Sequence, residues 1–164
     1  MEQIDHLIRQ TVMSRLAQLR DEIRSSIANK GLTASGRTQA SLHVYESGDE
    51  VGLAGRPFFS ALQYGSRAWT GKTGIGCSYA AFKQIIYQWA TDKGLNLGQA
   101  KEFDKAVGAI AMSIIRNGTR LHRRGGRLDV YDTLITEALL DIKDLVGVEV
   151  VKQVNVIIDN WARN

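Results

Sequence analysis

The stretch GRPFFSALQYGSRAWTGKTG, Gly55 to Gly74, divides a chain that leads into it by one helix and a hairpin from two helical blocks that follow. It opens near the only proline, Pro57, and carries Phe58 and Phe59. From Gly65 on, Gly65, Arg67, Trp69, Gly71, Lys72 and Gly74 alternate with no acidic residue among them. That is a glycine-loosened basic loop with one large aromatic, the kind of segment that meets a partner.

Toward the N-terminus, Ile4, Leu7, Ile8, Val12, Leu16, Leu19, Ile23 and Ile27 recur at three- and four-residue steps. One continuous apolar stripe of this kind predicts an amphipathic helix over 1–30, stopped where Lys30 and Gly31 supply a basic last turn and a left-handed residue. Arg9, Arg15, Arg20, Asp21 and Arg24 fall on its opposite face, which is expected to be solvated or to meet a neighbour. Over 33–54, Thr33 to Gly36 is turn-forming, Leu42 to Tyr45 alternates as a strand, and Ser47 to Glu50 signals a hairpin returning through Val51 to Leu53. A two-stranded ribbon is marginal alone, so it must pack on the first helix or extend a sheet across a subunit boundary.

Toward the C-terminus, 79–117 predicts two helices. Phe82, Ile85, Ile86 and Trp89 share the face of the first, which ends at Lys93 and Gly94. Phe103, Val107, Ile110, Ala111 and Ile114 form the stripe of the second, which ends at Asn117 and Gly118. A basic loop over 118–128 then leads to Asp129, read as an N-cap, and to a helical segment over 129–164 through Tyr131, Leu134, Ile135, Leu139 and Ile142. In its tail Val148, Val150, Val154, Val156 and Ile158 also alternate as a strand would, while Trp161 in phase with Val151, Val154 and Ile158 favours the helix.

The 164 residues, 44% of them hydrophobic, suit one domain with a core of its own, and the class expected is α+β, a small antiparallel sheet packed on helices. Neither a membrane span nor a secretory leader is indicated, and the single Cys77 suits a reducing compartment and a small buried hydrophobe. The net charge of +4 is unevenly spread. Arg116, Arg120, Arg123, Arg124 and Arg127 form a block without an acid, and from Asp129 onward seven acidic residues face three basic ones. Adjacent blocks of opposite sign suit either a solvated surface or head-to-tail contacts between copies.

Catalytic motifs fail on spacing. Thr70 to Gly74 reads TGKTG, but a phosphate-binding loop ending at Gly71 needs its first glycine where Ser66 stands, and Gly74 with Gly76 interrupts the helix start. His6, His43 and His122 lie on three separate elements, not at metal-ligand spacing. Asp141 and Asp144 are an ordinary solvated pair, so no catalytic, cofactor-binding or metal-binding residue is nominated.

The order of these pieces resembles the small neck and tail-completion proteins of long-tailed bacteriophages. It is carried by the long N-terminal helix, the turn and strand of TASGRTQASLHV, the short hairpin, the aromatic segment PFFSALQYGSR closing on Gly-Ser-Arg, and the helical AIAMSIIRNGTR. The resemblance runs from about Ile4 to Leu140; Gln63 stands where such proteins often carry an acid, Ser66 where they carry threonine, and Tyr79 to Lys93 is extra. It implies a non-enzymatic structural protein without cofactor, made in a host cytoplasm and placed in the virion. Hexameric or larger homo-oligomeric rings around the DNA channel, flanked by connector and tail-tube proteins, are implied likewise. On this reading Phe58, Phe59, Tyr64, Arg67, Trp69 and Lys72 touch a neighbour, with core packing the alternative for Phe58, Phe59 and Tyr64. Arg120, Arg123, Arg124 and Arg127 face an acidic neighbour or the channel. The rival reading is a nucleic-acid-binding module using Arg116 to Arg127.

Overall fold

The computed structural model describes residues 2–48, 50–56, 59–69 and 78–162, with side chains described over 5–155 of these. In chain order the elements are helices α1 (Glu2–Asn29) and α2 (Arg37–Ala40), strands β1 (His43–Ser47) and β2 (Glu50–Ala54), and helices α3 (Ser60–Tyr64), α4 (Tyr79–Asp92), α5 (Ala100–Asn117), α6 (Arg120–Arg123) and α7 (Asp132–Ala162). The class is α+β, helices with one small antiparallel sheet. None of the described helices is long and apolar enough to cross a membrane. The chain forms two compact units, Met1–Lys30 with Ala40–Gly55 and Val130–Asn164, and Gly31–Gln39 with Arg56–Asp129.

In the first unit α1 packs along α7 and against both strands. The predicted stripe supplies the core: Leu19, Ile23 and Ile27 are buried together with Leu42, Val130 and Ala138. Each such isoleucine contributes about 1.5–3 kcal/mol by burial. Gly31 takes φ +64° just past the helix, the left-handed conformation its position predicts. β1 and β2 pair with Ser47 opposite Glu50, which leaves a two-residue connection whose first member, Gly48, has φ +59°. α1 also clamps the hairpin by charge: Arg9 donates to the Gly48 carbonyl at 2.7 Å and Arg24 to the Leu42 carbonyl at 2.8 Å. The ribbon is thus held at both ends by the helix it packs on.

Arg15, on the face expected to be solvated or to meet a neighbour, is 8% exposed. Its Nε donates to Asp141 of α7 at 2.8 Å and its Nη1 to Glu22 at 3.2 Å. Burial works against the guanidinium charge, but these bonds outweigh it and raise the pKa further. Removing one partner of such a pair costs most when a charge is left buried. Asp141→Ala, which strands Arg15 on Glu22 alone, is therefore expected to cost about 1–2 kcal/mol, reduced because Asp141 itself faces water. Arg15→Met, which leaves two carboxylates that water can serve, should stay within about 1 kcal/mol of the parent chain. Urea unfolding midpoints at neutral pH separate the two.

α7 starts at Asp132, so Asp129 is not its N-cap. The Tyr131 carbonyl accepts the Ile135 N–H at 2.8 Å, and Asp132 places its carboxylate at the positive end of the helix. The tail that alternated like a strand is helical to Ala162.

In the second unit α4 and α5 pack as a hairpin of helices over Phe82, Ile86, Ala90, Val107 and Ala111. Ser78 caps α4, its hydroxyl accepting from the Ala81 N–H, and the Tyr87 and Phe103 rings meet edge to face at 5.0 Å. Lys83 pairs with Asp104 at 2.7 Å across the same two helices. The stripe expected on α5 is the one observed. On α4 it is shifted: Phe82, Ile86 and Ala90 face α5, while Ile85 and Trp89 are exposed. Among the described elements α5 is the one packed extensively on α4, and one helix covers one side. The segment over 55–78, expected as a loop, contains the short α3, and the basic loop over 118–128 contains the short α6.

Candidate interaction surface

Two tripeptides far apart in sequence, Gly65-Ser66-Arg67 and Gly118-Thr119-Arg120, share the order glycine, hydroxyl, arginine. In the second unit they pair with each other. The Ser66 N–H donates to Thr119 Oγ1 at 2.9 Å, and the Thr119 N–H donates to the Ser66 carbonyl at 2.9 Å. The contact extends on both sides, with the Leu128 N–H on the Gln63 carbonyl at 2.9 Å and the Trp69 N–H on the Ile115 carbonyl at 2.7 Å. Backbone groups that could not be satisfied within their own short helices are satisfied here across 53 residues of chain.

Glycine is required at both ends of this stitch. Gly65 has φ 72° with ψ −175° and Gly118 has φ 74° with ψ 177°, a region that only glycine occupies readily. Each also closes an α-helix, Gly65 N–H bonding the Ala61 carbonyl and Gly118 N–H the Ile114 carbonyl. Thr119 is the hub. It is the N-cap of α6, accepting from the His122 N–H at 3.4 Å as well as from Ser66. Thr119→Val keeps the shape and removes that acceptor, so a loss of about 1–2 kcal/mol is expected, with amide exchange accelerated at Ser66 and His122 before other sites.

The pairing gathers the two separately nominated segments into one knuckle. Gln63 is fully buried beneath it, its Nε2 donating to the Tyr64 hydroxyl at 2.9 Å. Tyr64 is exposed, and the Arg127 guanidinium lies 6.0 Å from its ring centroid. Phe59 is half-buried at the head of α3. Trp69 is half-buried as well, and its Nε1 is a buried donor without a hydrogen-bond partner among the described residues. Arg67, Arg116, Arg120, Arg123, Arg124 and Arg127 are all exposed. None of Arg67, Arg116, Arg120, Arg123 and Arg124 has an ion-pair partner among the described residues. Phe58, Lys72 and Cys77 lie outside the described residues.

A second surface lies in the first unit and was missed in sequence. α7 turns Ile135, Ala138, Ile142 and Val146 inward or half-inward, yet Leu139, Leu140, Val148, Val150, Val151 and Val154 are exposed on its other side. Leu139 is 61% and Val151 60% exposed, well beyond scattered surface valines and leucines in extent along one helix. Helices apolar on more than one side are ordinarily covered on more than one side. Glu137 and Asp144 share this outer side at helical spacing and have no ion-pair partner among the described residues. The signal was present in the tail: an alternating valine run reads equally as strand and helix when both sides of the helix are apolar.

Among the described residues no group of three or more histidine, cysteine, aspartate or glutamate side chains is placed to hold a metal ion. Comparison with profiles of protein families, with curated proteins and with solved structures finds no match to this chain.

Proposed function

We propose that this protein is a structural subunit of a phage or prophage particle, one of many copies in a neck or tail-completion ring between head and tail. The observation that carries the assembly reading is the exposed apolar side of α7, which calls for a covering molecule. The neck or tail-completion identity adds the resemblance in motif order. Its Gly-Ser-Arg tripeptide and the end of its helical segment AIAMSIIRNGTR are the residues that meet in the knuckle. A ring needs two unlike faces on each copy, because a face that met itself would close a dimer instead. The knuckle and the outer side of α7 are two such faces, one basic and one apolar with acids. Arginines exposed on short helices and turns also suit the rim of a channel that DNA passes without sticking.

Electron cryomicroscopy of intact particles from the source tests the reading. Density for this chain in a ring at the head-to-tail junction is the expected result, and absence of the chain from particles refutes it. A second reading, a nucleic-acid-binding module, draws on the exposed arginines between Arg116 and Arg124, which have no ion-pair partner among the described residues. It predicts affinity for duplex DNA that falls steeply with salt, from a chain that remains monomer or dimer.

A further inference from the structure

We infer that the knuckle of one copy docks on the outer side of α7 of the next, so that the two surfaces described above are the two halves of one repeating contact. The inference rests on the ring reading and adds which faces meet.

Charge is the first ground. Arg67, Arg120, Arg123 and Arg124 are exposed and unpaired among the described residues of the second unit, and Glu137 and Asp144 are exposed and unpaired among those of the first. Two further charged groups of α7 are engaged at home, Asp141 with Arg15 and Lys152 beside Glu149, while Lys143 is an exposed cation at the flank of the same helix. Composition is the second ground. Interface centres are rich in tyrosine and arginine and poor in lysine, aspartate and glutamate. The knuckle offers Tyr64 with Arg127 against its ring and half-buried Phe59 and Leu121 around it. α7 offers Leu140, Val148 and Val151 in line with Glu137 and Asp144, at three- and four-residue steps along one side of the helix. Arginine stems lie well on such apolar surface while their guanidinium groups reach the acids. Two knuckles would repel each other, and two α7 sides would set Glu137 and Asp144 of both copies together with one Lys143 from each, against the four exposed arginines a knuckle offers, so the heterologous pairing satisfies both surfaces better.

The test uses the full chain in two charge-reversed forms, Arg123→Glu with Arg124→Glu, and Glu137→Arg with Asp144→Arg. Circular dichroism first establishes that both fold, as exposed substitutions should. Sedimentation velocity from micromolar to millimolar concentration then follows self-association of each chain alone and of the two mixed. Expected is association of the parent chain, weakening of at least about tenfold in each variant, and recovery in the mixture, where every reversed knuckle meets a reversed α7. A misfolded variant cannot produce that recovery.

Variants that associate as the parent does overturn the contact while leaving a ring built through other faces. Weakening without recovery in the mixture shows that the two surfaces do not meet each other and overturns it too. A parent chain that stays monomeric throughout overturns it, and retention on duplex DNA lost only in the Arg123, Arg124 variant then favours the nucleic-acid module. The ring reading itself is judged by the particle reconstruction, so the two can fail separately.

Discussion

Gly118→Ala is expected to destabilise the second unit by about 3–5 kcal/mol, because it combines a backbone penalty with a steric one. A residue with a Cβ held at φ 74° and ψ 177° costs about 1–3 kcal/mol. The added methyl would also lie 2.7 Å from the Ser66 carbonyl oxygen and 3.0 Å from the Ala68 nitrogen. Both are backbone atoms, which cannot swing aside as a lysine end can. The strands of the stitch must separate, and the paired hydrogen bonds between Ser66 and Thr119 are lost at about 1 kcal/mol each. Gly65→Ala should behave alike, since its methyl would meet Thr119 Oγ1 and, at 2.7 Å, the His122 nitrogen. Gly125→Ala is the control: φ is +61° there, but nothing lies within 4 Å, so only the backbone term of about 1–2 kcal/mol applies. Thermal melts give the ranking. Hydrogen exchange at Ser66, Trp69, Thr119 and Leu128 should show all four amides losing protection together in the Gly118 and Gly65 variants. A Gly118→Ala midpoint no lower than that of Gly125→Ala would show that the tripeptides are not locked as described.

The second large effect concerns α7. Val148→Lys with Val151→Lys should leave the fold intact, since both positions are exposed and lysine is a better helix former than valine. The melting midpoint is expected to be unchanged or slightly higher. Association between copies should fall by about a hundredfold or more. Two valines covered at an interface supply about 3 kcal/mol, and each 1.4 kcal/mol is tenfold in affinity. Two cations facing an arginine-rich knuckle add repulsion. Sedimentation of the parent and the double variant reads the association, and the melts read the fold. A midpoint lowered by several degrees would mean instead that α7 packs this side at home. Undiminished association would place the contact on another face.

Legibility in the sequence followed range. α1, α5 and the hairpin were readable because three- and four-residue steps, alternation and a Gly-Asp turn are properties of neighbouring residues. The same local logic put Ile85 and Trp89 with Phe82 and Ile86, since a stripe shows which residues share a side and not how wide a neighbour is. Arg15 shows the opposite failure. Hydropathy assigns an arginine to water, and it is buried here only because α7 brings Asp141 to it. α3 and α6 are too short to carry a period, so their bounds came from contacts and not from composition.

The candidate surface was half legible. The Gly-Ser-Arg tripeptide and the arginine block were visible as residues, and Tyr64, Arg67, Arg120, Arg123, Arg124 and Arg127 are exposed. Their union in one knuckle was not visible, because hydrogen bonds between residues 53 positions apart leave no trace in periodicity. What the sequence determined alone was the helices, the hairpin turn and the separation of charge into a basic and an acidic block. Those follow from local backbone preference and the spacing of apolar side chains. Only the tertiary structure decided that Gly65 and Gly118 face each other's segments, that Arg15 is buried, and that α7 keeps one apolar side uncovered. Each of those depends on which surfaces the folded chain brings together, and burial is a property of pairs of elements that no single element carries.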